Sequence, residues 1–201
     1  MMSICPDLTI YLTDLDRLIL QYQSQEGSLQ NQEDSCQFWD LSKKYGYRKR
    51  TLTTNGSGLF DIVENKPILQ HIADNHFQHL NISKAHFDED TNKRIMQYEN
   101  GYCSNDDIYR IAIFAKANNL RPRMSCLLLK EGINDMDGII RYLDYYNSLC
   151  IDNVIFRETM DYDERAMRNH DKMAYLKENK VYLNDIWKCI DKDNRFTPIK
   201  Q

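Results

Sequence analysis

The sequence predicts an α/β fold built on a parallel sheet. Short runs rich in apolar and β-branched residues alternate with stretches whose apolar residues recur at helical spacing. Strands separated by helices are joined by crossovers, which set neighbouring strands parallel. With 201 residues, 42% of them apolar, the chain is long enough to bury a core as one domain.

The first helix is expected from Thr13 to Gln23, where Thr13 can cap and Leu15, Leu18, Ile19 and Tyr22 share one face. The polar stretch from Ser24 to Asp34 reads as a loop or insertion. A second helix is expected from a Ser35 cap to Tyr45, with Phe38 and Leu41 on one face and Gly46 placed to end it. Tyr47 to Thr54 reads as a strand, closed by Asn55-Gly56-Ser57-Gly58. Asp61 to Asn75 reads as a helix in which Pro67 must mark a start or a break. Phe77 to Ser83 is the next strand and Asp88 to Tyr98 the next helix. Ser104 to Asn118 carries a stronger helical signature: Ser104 and Asp107 suit a cap and first turn, and Ile108, Ile111, Ala112 and Ala115 form a stripe.

Arg123 to Leu129 is nearly continuous in apolar residues, which suits a strand buried on both faces of a parallel sheet. Asp135 to Leu149 predicts a helix with Met136, Ile139, Ile140 and Leu143 on one side, and Asn153 to Glu158 a strand. Asp163 to Glu178 is polar enough for a surface helix. Val181, Leu183, Ile186, Trp187 and Ile190 can anchor the C-terminal segment. No internal repeat or boundary divides the chain, so a single domain over 1–201 is expected, with a core over about 9–160 and a helical tail over 161–201.

Composition excludes several classes. Lys and Arg number 26 against 30 Asp and Glu, a net charge of −4, so nothing draws the chain to nucleic acid or anionic lipid in general. The longest apolar runs fall far short of the ~18 residues of a membrane span. The N-terminal stretch has no basic head followed by an apolar block, so a secretory signal is not expected and the compartment is read as cytoplasmic. The six cysteines, Cys5, Cys36, Cys103, Cys126, Cys150 and Cys189, form no CxxC, CxxxC or zinc-ribbon pattern and read as reduced thiols. Cys126 and Cys150 are expected in the core.

Ligand groups in parallel α/β folds gather at the C-terminal ends of strands. That places Thr53, Thr54, Asn55 and Gly56 after the first strong strand, and Ser83, Lys84 and His86 after the second. Ser125, Lys130 and Glu131 belong to the third, Arg157 and Glu158 to the fourth. Each has a plainer role beside it. Asn55-Gly56 can simply close a turn, and Arg157 beside Glu158 can be an ion pair. Lys84 and Lys130 sit where a barrel aldolase would carry a Schiff-base lysine, or are merely solvated. His76 and His79, three apart, would face opposite sides of a strand, so a metal site there would need loop geometry that the sequence does not reveal. Arg48-Lys49-Arg50 flanks a strand and lacks an aromatic platform for bases.

Four segments in order, YGYRKRTLTTNGSGL, HLNISKAHFDED, RPRMSCLLLKEGI and IDNVIFRETM, resemble the radical S-adenosylmethionine (radical SAM) superfamily over about Thr9 to Met160. The resemblance implies an incomplete (β/α)6 TIM-like barrel of parallel strands lacking the first one or two. Family members hold a 4Fe–4S cluster on a CxxxCxxC loop and cleave S-adenosylmethionine to a 5′-deoxyadenosyl radical. Carried over residue by residue, it implies cofactor-side roles for Asn55 in the TTNG turn, Ser83 and Lys84 at one strand end, Ser125 on the next strand, and Arg157 and Glu158 on the last. No CxxxCxxC occurs here, and Cys5-Pro6-Asp7-Leu8 stands where glycines and an acidic residue are expected. The expectation is therefore a truncated chain that places no cluster and is inactive by itself. The alternative is a cluster-free, barrel-derived interaction or scaffold module. Either leaves an exposed sheet edge where a partner chain or a missing N-terminal segment could pair; the substrate is not legible.

Overall fold

A computed structural model describes residues 9–10, 21–23, 36, 39–40, 43–44, 50–98, 101–159 and 170–197. The strands are β1 (Thr9–Ile10), β2 (Gln21–Gln23), β3 (Thr51–Thr54), β4 (Ile62–Val63), β5 (Lys66–Pro67), β6 (His79–Ser83), β7 (Arg121–Leu127) and β8 (Asn153–Arg157). The helices are α1 (Ile68–Asp74), α2 (Glu89–Met96), α3 (Asn105–Ala117), α4 (Met136–Ser148), α5 (His170–Glu178) and α6 (Leu183–Ile190). Cys36, Trp39, Asp40, Lys43 and Lys44 are helical as well, within the helix expected there.

Six strands form one sheet in the order β1-β8-β7-β6-β3-β2, and every pairing in it is parallel. From β2 to β8 the sheet follows chain order, interrupted only by the separate β4-β5 hairpin. β1 pairs with the last strand rather than with β2, so β1 and β2 stand at opposite edges and are not joined.

Alternate residues of these strands build the core. Leu52, Leu80, Ile82, Met124, Cys126, Val154 and Phe156 pack with Ile68, Leu69 and Ile72 of α1, Ile108, Ile111, Ala112 and Ala115 of α3, and Ile139, Tyr142, Leu143 and Tyr146 of α4. Burying each large side chain of that set is worth about 1.5–3 kcal/mol, which is what holds helices to sheet. The helix starts are set by side chains: Asp88 accepts from the Thr91 N–H, Ser104 and Asp107 form a full capping box, and Asp135 accepts from the Gly138 N–H. Even polar α2 is anchored, because buried Asn92 accepts from the Ala85 N–H at 2.8 Å and donates to the Tyr98 hydroxyl at 2.9 Å.

Several expectations need correction. Gln21–Gln23, expected to end the first helix, is an edge strand paired with Thr51–Thr53, and together with Thr9–Ile10 at the other edge it raises the four expected strands to six. Pairing to a buried neighbour overrides the local helical spacing there. The rest of that helix, 13–20, and the loop over 24–34 lie outside the described residues. The helix expected from Asp61 begins only at Ile68: Glu64 and Asn65 both adopt positive φ, closing the β4-β5 hairpin, and Pro67 is extended as the N-cap. Cys126 is buried as expected, but Cys150 is exposed, at φ +65° in the turn after α4.

The C-terminal helices are tied to the sheet by the antiparallel bridge Leu129–Lys180 and by Ile186, which reaches the core. Of the helix expected over 163–178, the part over 163–169 is outside the described residues. Among the described residues no helix is long and apolar enough to cross a membrane.

Candidate functional site: the polar face of the sheet

Where one set of alternate strand residues faces the helices, the other set faces away, and apart from Leu127 and Ile155 it is polar. Thr53 lies opposite Asn81, and Asn81 opposite Arg123. Continuing the β7-β8 register one position brings Asn153 beside Arg123. One layer nearer the C-terminal ends, Ser83 lies opposite Ser125 and Ser125 opposite Ile155, and in the next layer Leu127 lies opposite Arg157. Thr53, Asn81, Ser125 and Ile155 are buried, yet none belongs to the apolar core cluster. The sheet thus separates an apolar helix side from a buried polar side.

Hydrogen bonding on this face is incomplete. Asn81 Nδ2 donates to Thr53 Oγ1 at 3.1 Å, and Arg123 Nη2 meets His79 Nδ1 at 3.2 Å. Asn81 Oδ1 and Asn153 Oδ1, which flank Arg123 in the register, are buried without a hydrogen-bond partner among the described residues. Such groups are uncommon, because each costs about 1–3 kcal/mol. Burial lowers the pKa of Arg157, and among the described residues no carboxylate pairs with its guanidinium.

Of the six residues picked out by sequence, Ser83, Ser125 and Arg157 share this face. Asn55 follows β3, and its Oδ1 accepts from the Ser57 N–H at 3.0 Å and the Ser57 hydroxyl at 2.7 Å, closing its own turn. Gly56 of that turn sits at φ +85°, and a Cβ there would lie 2.7 Å from Cys103 Sγ, so the position requires glycine.

Lys84 does not join the face. Its side chain is 1% exposed and its Nζ donates to the Cys103 carbonyl, 4.1 Å from the Tyr102 ring centroid and 5.8 Å from that of Tyr98. Burial pushes its pKa down to about 8. The ion pair expected between Arg157 and Glu158 is not made. Glu158 Oε1 instead meets Lys180 Nζ at 3.1 Å, and its Oε2 accepts from the Leu183 N–H at 2.8 Å, at the start of α6. Lys130 Nζ donates to the Glu178 carbonyl at 2.8 Å.

Thr53, Asn81, Arg123 and Asn153 are the face's further residues, and reasoning from strand ends alone reaches only Thr53. The signal for the others lies in alternation: His79, Asn81 and Ser83 in HLNIS, and Arg121, Arg123 and Ser125 in RPRMSCL. The second run looks apolar on both faces in sequence. In the sheet its polar residues all fall on one side.

No family model matches the chain, and no curated protein matches its sequence. Among the described residues, no group of three His, Cys, Asp or Glu side chains could hold a metal ion. Cys103 and Cys126 are buried thiols, the first pushed up to about 11 by burial and the second higher still. Thiolate is the ligating form, and burial disfavours it at both positions.

Proposed function

We propose that this chain is a radical SAM-like domain, an incomplete (β/α)6 barrel of the cytoplasm. It retains the family's ligand-facing sheet but does not hold a cluster or generate a radical by itself. The observation that carries this reading is the polar sheet face. Ser83, Ser125 and Arg157 come from three motifs of the resemblance, on three successive parallel strands at their C-terminal ends. Sequential winding of the sheet from β2 to β8, with β1 returning beside β8, supports the barrel. Hydroxyls at Ser83 and Ser125 suit the ribose of S-adenosylmethionine. The methionine end, which the family anchors on iron, has no such anchor here.

The alternative, an interaction module, is favoured by one feature: among the described residues the outer strands β1 and β2 each pair on one side alone, which leaves an edge where a partner strand could add. Anaerobic reconstitution with iron and sulfide, followed by absorption and electron paramagnetic resonance spectroscopy, tests the main proposal. It expects no four-iron signal and no 5′-deoxyadenosine. It also expects S-adenosylmethionine binding by calorimetry that Ser125→Leu abolishes. A stoichiometric cluster sinks the cluster-free assignment. Absence of S-adenosylmethionine binding, with assembly onto a partner, favours the module instead.

A further inference from the structure

The Arg157 guanidinium and the Asn81 and Asn153 amide oxygens are groups on the polar face that nothing in the fold explains. Asn81 is 4% exposed, and its Oδ1 has no hydrogen-bond partner among the described residues. Asn153 Oδ1, two strands away in the same layer, is in the same condition. Arg157 is half-buried, and its sequence neighbour Glu158 is committed to Lys180 and the start of α6. A fold selected only for stability would fill these positions with apolar residues, because buried polar groups without partners are costly. Their chemistry is complementary to one kind of guest. Two amide oxygens need hydrogen-bond donors, and a guanidinium needs an anion, which its planar fork grips in two places. Asn153 and Arg157 are four residues apart on one strand, about 13 Å at ~3.3 Å per residue, and the long arginine side chain takes up part of that span.

We propose that this face binds a hydroxylated anion of about the size of a sugar phosphate or sugar acid, its anionic end on Arg157 and its hydroxyls donating to Asn81 Oδ1 and Asn153 Oδ1. Ser83 and Ser125, as donor-acceptors between the two ends, hold the middle of the ligand. The site is defined by the geometry of the face alone. It shares Ser83 and Ser125 with the ribose contacts proposed above but adds Asn81 and Asn153, so binding of a sugar anion and binding of S-adenosylmethionine are read independently.

Calorimetry of the whole chain with ribose 5-phosphate and with gluconate tests it, the two probes separating phosphate from carboxylate as the anion. Saturable binding of at least one probe is expected. Arg157→Met and Asn81→Val should each weaken it about tenfold, the loss of one strong hydrogen-bonded anchor. Without probe, Arg157→Met should melt no lower than the parent, because it removes a charge that no carboxylate offsets. Failure of both probes to bind the parent overturns the proposal, and so does equal affinity in Arg157→Met. A lower melting temperature for Arg157→Met without probe also overturns it, by making the arginine structural. If Asn81→Val does not fold, because Thr53 loses its donor, Arg157→Met alone decides.

Discussion

Lys84 shows how a single residue can be both buried and charged. At neutral pH its ammonium lies among the Tyr98 and Tyr102 rings and the Cys103 carbonyl, which replace water with π faces and one strong acceptor. The compensation is partial, since its pKa falls from 10.5 to about 8. Below about pH 8 both folded and unfolded chains hold the proton, and the cost of burying the charge is fully present. Between that point and 10.5 the unfolded chain holds a proton that the folded one has released, so stability rises with pH. Cys103 acts in the opposite sense. Its pKa rises from 9.0 to about 11 on folding, so stability is lost as pH climbs above about 9. The parent should therefore gain stability from about pH 8 to 9, by at most ~1.4 kcal/mol per pH unit for one proton, and lose it above about 9, where Cys103 and Cys126, both raised by burial, outweigh the one lysine. Urea midpoints across that range should show the rise in the parent and not in Lys84→Met. The same rise in both would exclude Lys84 as its source.

At the scale of the element, capping decides where helices begin. Ser104 Oγ accepts from the Asp107 N–H at 3.1 Å, while Asp107 Oδ2 accepts from the Ser104 N–H at 3.1 Å and the Ser104 hydroxyl at 2.8 Å. Ser104→Ala removes the hydroxyl from this box and should cost about 1 kcal/mol of global stability, measured by chemical denaturation. Ser104→Asp, which keeps an acceptor at the cap, should cost much less. An equal cost for both would place the serine's role elsewhere. Signals of this local kind make α2, α3 and α4 legible, since Asp88, Ser104 and Asp135 each stand one residue before the helix they cap. The same reasoning fails at Gln21–Gln23 and at Ile62–Pro67 for a shared reason. β2 exists because β3 lies beside it, and the β4-β5 hairpin depends on two positive-φ residues, Glu64 and Asn65, that no glycine announces.

At the scale of the whole molecule, the parallel sheet is readable because its strands are buried by helices. The site is only half readable because partners across strands are set by register. Ser83, Ser125 and Arg157 can be picked out singly, but that Asn81 and Asn153 flank Arg123 follows only from the pairing of β6, β7 and β8. Register also explains why Glu158, one residue beyond Arg157, serves a different purpose: at the end of β8 it turns from the polar face to the C-terminal helices. There it holds Lys180, which is 9% exposed, and accepts from the N–H at the start of α6. Lys130 adds two bonds to the same segment, donating its N–H to the Asn179 carbonyl and its Nζ to the Glu178 carbonyl. The helical tail is thus fastened to the C-terminal ends of the strands by the Lys130 bonds, the Leu129–Lys180 bridge, the burial of Ile186 and the Glu158 carboxylate, the last of which meets both the lysine and the helix start. Glu158→Ala removes both the cap and the counter-charge of a buried lysine, a loss of about 3 kcal/mol. Glu158→Gln keeps an acceptor for the Leu183 N–H and should fall between the parent and Glu158→Ala. Because α6 meets the sheet there, hydrogen exchange in Glu158→Ala should quicken in 179–190 while β6 and β7 keep their protection. Uniform acceleration through the sheet would instead mean that tail and sheet unfold as one unit.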